Sequence, residues 1–132
     1  MPLKTVLDVG NCGPDHSAIS SLLSKHFDVD ILRSDQLADT LAILNNQPVD
    51  LILINRKLDI DYSDGMDILH AIKKSDAFRD IPVMLITNYA EYQQQAVAAG
   101  AILGFGKLEL HAPDTLDRLR SVLQSTDANS GA

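Results

Sequence analysis

Two short runs, Val49 to Ile54 and Ile81 to Ile86, are apolar at nearly every position. Neither alternates polar with apolar residues, as a strand with one wet face would. Both are too short for a buried helix. A strand covered by helices on both faces has this pattern, and such strands belong to parallel sheets. Pro82 must sit near the start of its strand, because it offers no donor to the ladder.

The rest of the chain alternates in the same sense. Thr5 to Val9 reads as a first strand, Val29 to Leu32 as a second, and Ile102 to Phe105 as a weak fifth with Gly104 inside it. Pro14 and Asp15 are start signals for a helix from Asp15 to His26, with Ile19, Leu22, Leu23 and Phe27 on one face. Ser34 is placed to cap a helix whose Leu37, Leu41 and Leu44 face inward and which Gln47-Pro48 breaks. Asp64 or Gly65 opens a third helix through Ile68, Leu69 and Ile72 to about Lys74. A fourth runs from about Ala90 to Ala99 and stops at Gly100. The last opens at Pro113 or Asp114 and turns Leu116, Leu119, Val122 and Leu123 inward. At 132 residues the chain is one domain by length. Residues 1–125 are expected to form it, and residues 126–132, small and polar, a disordered tail.

Five strands alternating with five helices predict a single-domain α/β, doubly wound (βα)5 sandwich of flavodoxin-like type. Its parallel five-stranded sheet takes the order 2-1-3-4-5, which puts any site at the carboxyl ends of strands one and three. The candidates are therefore the residues after Val9, Ile54, Ile86 and Phe105: Gly10 and Asn11, Asn55, Thr87 and Asn88, and Lys107.

These residues carry a resemblance. The run from Val49 to Asn55, the later Asp64-Gly65, the run from Ile81 to Thr87, and Ala99-Gly100-Ala101 with Lys107 seven residues past the glycine follow in order and at characteristic spacing. Over about residues 4–125 the chain resembles the receiver domain of two-component response regulators. The resemblance implies an acidic pair after strand one that holds Mg²⁺ and an aspartate after strand three that accepts a phosphoryl group. It also implies a hydroxyl after strand four and a lysine after strand five that bind the phosphoryl oxygens. Phosphoryl transfer builds negative charge that the metal and the lysine offset.

Thr87 and Lys107 match that pattern, and other positions depart from it. Asn55 stands at the acceptor position, where a neutral amide is a poor nucleophile. The acidic pair maps to Gly10-Asn11, or to Asn11-Cys12 if the helix sets the register; only a slid register brings in Asp8, beside Val9. A hard divalent ion wants several oxygens, usually with carboxylate charge, so no metal is expected. Leu108 replaces the proline that usually follows the lysine, and a cis bond without proline costs about 2.5–4 kcal/mol, so a trans bond is expected. Gly104 falls near the usual aromatic switch position, with Phe105 one place later. The β-strand-three loop, Asn55 to Gly65, is longer than the common pattern. The Lys107 ammonium is expected to meet the side-chain oxygen of Asn55 in a remnant pocket.

A net charge of −7 argues against nucleic acid as a partner. Cys12 is the single cysteine, which excludes an internal disulfide and suits a reducing compartment. No run is long enough to span a membrane and no secretion leader is evident, so a cytoplasmic location is expected. Asp59, Asp61 and Asp64, with Tyr62, read as a solvated acidic loop rather than a calcium loop. The histidines at 16, 26, 70 and 111 show no metal-ligand spacing and read as surface or helix-end residues. Tyr89 and Tyr92 open the fourth helix as candidate interface residues, together with Phe105. The resemblance implies a partner or homodimer surface on helix four, strand five and helix five.

The sequence therefore points to a phosphorylation-independent receiver-like domain, a pseudo-receiver, that binds a protein partner, is not an enzyme and uses no cofactor. Two other readings stand beside it. One is a phosphoacceptor that uses a displaced aspartate, Asp59 or Asp61. The other is a small flavodoxin-like ligand-binding domain.

Overall fold

The two apolar runs lie side by side inside a parallel sheet. In a computed structural model, which describes residues 3–123, the elements follow in strict alternation. They are β1 (Lys4–Val9), α1 (Gly13–His26), β2 (Val29–Ser34), α2 (Leu37–Asn46), β3 (Leu51–Asn55), α3 (Met66–Lys74), β4 (Val83–Ile86), α4 (Ala90–Ala98), β5 (Ile102–Phe105) and α5 (Pro113–Leu123), with a 3-10 turn at Lys107–Glu109 before α5. The sheet order is β2-β1-β3-β4-β5, the flavodoxin-like topology expected from the sequence. No helix among the described residues is long and apolar enough to cross a membrane. The expected tail, 126–132, lies outside the described residues.

The near-continuous apolar runs follow from two cores. Leu7, Val9, Ile52, Ile54, Val83 and Leu85 face one side, against Leu44, Ile68, Leu69, Ile72 and Ala96. Val6, Leu51, Leu53, Met84, Ile86 and Phe105 face the other, against Ile19, Leu22, Leu23, Leu119 and Leu123. Alternate residues of one strand thus serve opposite cores, and none can be polar without cost. Burying each such side chain stabilises the fold by about 1.5–3 kcal/mol.

Several local features differ from the sequence pattern. Ser34 ends β2 and does not cap α2. Its hydroxyl is buried against Thr40 Oγ1 at 2.7 Å, and Asp39 caps the helix, accepting from the backbone N–H of Asp35 (2.8 Å) and Gln36 (2.9 Å). Leu37, on the first turn of α2, is exposed rather than inward. α4 does stop at Gly100, whose φ of 109° only glycine adopts readily. β5 is weak for a visible reason: its register against β4 shifts between Met84 and Ile86. Gln93, buried on α4, repairs the gap. Its Nε2 donates to Leu85 O (2.9 Å), Thr87 O (3.3 Å) and Phe105 O (3.4 Å), and its Oε1 accepts from Gly104 N (3.0 Å).

Candidate functional site

The strand ends of β1 and β3 are neighbours, with Val9 paired to Ile54. Just beyond them the β3–α3 loop folds back over the sheet. Leu58 is buried against Gly10, and Asp59 N donates to Gly10 O at 2.8 Å. A Cβ at residue 10 would strike the Leu58 side chain, and the φ of 80° there also favours glycine. Gly10 is therefore the residue that lets this loop close. At the loop's far end, a Cβ on Gly65 would strike the carbonyl oxygen of Asn55, and Asp64 Oδ1 accepts from Met66 N at 2.9 Å to start α3.

Asn55 turns its amide into this loop. Nδ2 donates to Lys57 O at 2.7 Å and to Gly10 O at 3.4 Å. Lys107 does not meet Asn55 as expected. Its Nζ donates to Asp15 Oδ2 at 2.7 Å, on the first turn of α1. The ammonium prefers a full carboxylate to a neutral amide oxygen, and Asp15, beside Pro14 at the helix start, is within reach. Lys107, first, and the Cys12 side chain hold the Asp15 carboxyl below its ordinary value, against an opposing effect of burial.

Asp8 is the acid that only a slid register would bring into the acidic pair. It sits within β1, fully buried, opposite Arg33 on one side and Leu53 on the other. Its Oδ1 accepts from Asn11 Nδ2, and its Oδ2 lies 2.6 Å from His16 Nδ1. A carboxylate accepts only, so the Nδ1 carries the proton. His16 was read as a surface or helix-end residue. It is instead the partner that makes a buried carboxylate tolerable. The clue lay in the sequence: an acid inside an apolar strand needs such a partner.

These residues do not fit the magnesium ion that the resemblance implies. Gly10 offers no side chain, and Leu58 covers it. Asp8 is taken up by Asn11 Nδ2 and His16 Nδ1, the buried Asn11 Oδ1 has no partner but is a single neutral oxygen, and Asn55 presents a donor to the loop. Among the described residues no cluster of three or more His, Cys, Asp or Glu is disposed to hold a metal.

The remaining candidates divide. Thr87 is nearly buried and its Oγ1 accepts from Tyr89 N at 3.3 Å. The Lys107–Leu108 bond is trans, as expected without proline. Tyr89 is 63% exposed and packs edge-on against Tyr92, with ring centroids 5.9 Å apart. Phe105 is 1% exposed and belongs to the core beside α1 and α5, so it cannot serve as an interface residue. On β5 the exposed apolar side chains are Ile102 and Leu103, with Val97 nearby in sequence on α4. Asp59 and Asp61 are exposed, and Asp61 is occupied by the Ser63 N–H (3.0 Å) and hydroxyl (2.6 Å), which lower its pKa.

Beside Asn55 and Thr87 opens a cavity of about 520 Å³. Arg56, Lys57, Tyr89, Glu91, Tyr92 and Lys107 also line it, with Ile86 and Asn88. The Arg56 guanidinium lies over the Tyr92 ring, 3.9 Å from its centroid. Sequence reading singled out neither Arg56 nor Lys57, because they lie past the strand end in a loop without periodicity.

No family model matches the chain, and no curated protein matches it. Solved structures do. A putative response regulator from Chloroflexus aurantiacus is 15% identical, with a TM-score of 0.79 over 93% of this chain and 99% of that one. NtrX from Brucella abortus is 20% identical, with a TM-score of 0.77 over 98% of this chain; the chain spans only 29% of NtrX. The chemotaxis response regulator CheY4 of Vibrio cholerae is 20% identical, with a TM-score of 0.69 over 92% of this chain and all (100%) of that one. At these identities the likeness is one of fold: the chain has the fold of response regulator receiver domains.

Proposed function

We propose that this chain is a receiver-like signalling domain that works without phosphorylation, by binding a protein partner, and that it is not an enzyme. The observation that carries this reading is Asn55. It stands at the end of β3 with its Nδ2 2.7 Å from Lys57 O, neutral and engaged with backbone, where acyl-phosphate chemistry needs a free carboxylate. Two further features support it. The lysine after β5 is paired with Asp15, and the acid in β1 is paired with His16. The lysine thus already has an internal counter-ion, and the buried acid an internal hydrogen-bond partner.

Signalling then depends on surface. The α4–β5–α5 side offers exposed Val97, Ile102 and Leu103 beside an edge strand, a combination suited to a protein partner or a second copy of the chain. Gln93 pins α4 to β5 from beneath, so this side is presented in one arrangement. A phosphoacceptor that used Asp59 or Asp61 is disfavoured, because both are exposed loop acids and Lys107 is bound elsewhere.

Incubation with acetyl phosphate and Mg²⁺, followed by intact-mass measurement, tests the reading. No mass change is expected. A hydroxylamine-sensitive gain of one phosphoryl group would overturn it and favour the displaced aspartate.

A further inference from the structure

The cavity at the strand ends holds more positive charge than its neighbours use. Lys107 is answered by Asp15, but Arg56 and Lys57 form no ion pair among the described residues. The Arg56 Nε is buried and lacks a hydrogen-bond partner. That atom has almost no accessible surface, so an anion in the cavity would meet the terminal nitrogens of the guanidinium, which carry the same charge. The wall has one carboxylate, Glu91, against those two cations, in a chain of net charge −7. Asn55 is neutral and sets no negative charge against an anion here.

Size and shape add to this. At about 520 Å³ the cavity lies within the range that encloses small organic ligands, roughly 300–1,000 Å³, and exceeds what a single phosphoryl group requires. Its rim carries Tyr89, an exposed ring braced edge-on by Tyr92, and Arg56 presents a planar cation stacked on Tyr92. Planar cations and rings of this kind hold flat ligands.

We propose that this cavity binds a small planar organic anion, carrying one phosphate or carboxylate, non-covalently and without a metal ion. The oxyanion is taken by Lys57 and Arg56, with the Thr87 hydroxyl beside them. The planar body rests against Tyr89. No bond is made or broken. The site does not depend on the partner-binding reading: acetyl-phosphate labelling would overturn that reading and leave this one to be decided by its own titration.

The test uses the full chain in EDTA, followed by amide NMR. Phenyl phosphate and benzoate are the probes, with phenol and inorganic phosphate as controls. At least one probe is expected to shift the Arg56, Lys57 and Thr87 amides saturably; which one responds identifies the oxyanion. Phenol is expected to leave them in place. Inorganic phosphate is expected to bind about tenfold more weakly, and Lys57→Gln to weaken the probe by about tenfold, the equivalent of one charge-assisted hydrogen bond. Arg56→Met removes the guanidinium charge and should weaken it at least as much. Lys57 is exposed, so its variant keeps the test intact if Arg56→Met does not fold. The proposal is overturned if neither probe saturates, if inorganic phosphate binds equally well, if Lys57→Gln leaves affinity unchanged, or if binding requires Mg²⁺.

Discussion

Lys107 and Asp15 are 92 residues apart in sequence and 2.7 Å apart in space, joining the end of β5 to the first turn of α1. Asp15 has a neighbour, His16, that pairs with Asp8 in β1. Two consecutive residues of α1 thus tie the helix start to two strand ends. The Lys107 ammonium and the Asp8 carboxylate are engaged by the same helical turn.

Asp15 gives the first prediction. Lys107 lowers its folded-state pKa below the ordinary 3.8, so the pair stabilises the fold fully above that value. The contribution is lost as pH falls through the lowered folded-state pKa. Asp15→Asn should therefore cost stability at neutral pH and nothing in strong acid. About a third of each side chain is exposed, so screening keeps the loss to about 0.5 kcal/mol, less at high salt. Urea unfolding of both proteins across a pH series measures it.

His16 carries more weight because its partner is fully buried. In His16→Ala, Asp8 keeps only the Asn11 amide as a side-chain donor among the described residues. Removing one member of a buried pair costs about 3–5 kcal/mol. The His16 side chain is 21% exposed, so water relieves part of that loss and the lower end, about 3 kcal/mol, is expected. His16→Gln, which can still donate, should recover part of it. The urea midpoints of the two variants decide the matter.

Gln93 tests the repair of β5. Its amide supplies bonds to three carbonyls and one N–H where the β4–β5 register shifts. Gln93→Leu fills similar space and takes the Gln93 partner from Leu85 O and the Gly104 N–H, while Phe105 O keeps the Thr87 N–H, at a cost of about 1–3 kcal/mol. Hydrogen exchange should speed up at Gly104 and less so in β1 and β3. Uniform loss across the sheet would assign Gln93 to global packing instead.

The sheet was legible because each strand serves two cores. Leu51 and Leu53 face one, Ile52 and Ile54 the other, and that arrangement leaves an unbroken apolar run. Helix faces and the stop at Gly100 were legible for similar reasons of period and backbone freedom. What the periodicity could not carry was pairing across distance. The resemblance sets Lys107 against Asn55, but the choice between Asn55 and Asp15 depends on where α1 starts. Phe105 was placed at an interface because it neighbours a recognised position, whereas one residue of register in β5 sends it into the core. Asp8 was legible as an anomaly and His16 was not, since nothing in local sequence says that a helix will turn an imidazole toward a strand.

Asn55→Asp is the last prediction, and it tests whether a carboxylate at this strand end is enough for phosphoryl transfer. If only the nucleophile were missing, restoring the carboxylate would restore labelling by acetyl phosphate. The surroundings argue otherwise. Asn55 donates to Lys57 O and Gly10 O, and a carboxylate there would set negative oxygens against two carbonyls. Gly10 supplies no acid to hold a metal that could relieve this, and Asp8 is already paired. The variant should lose about 1–3 kcal/mol, the cost of turning a satisfied site into an unsatisfied one. It should also remain unlabelled with Mg²⁺ present. Thermal unfolding and intact-mass measurement on the same sample give both answers. Rapid labelling would mean that the β3–α3 loop opens to admit a metal, and that the contact of Leu58 on Gly10 is broken more readily than its burial implies.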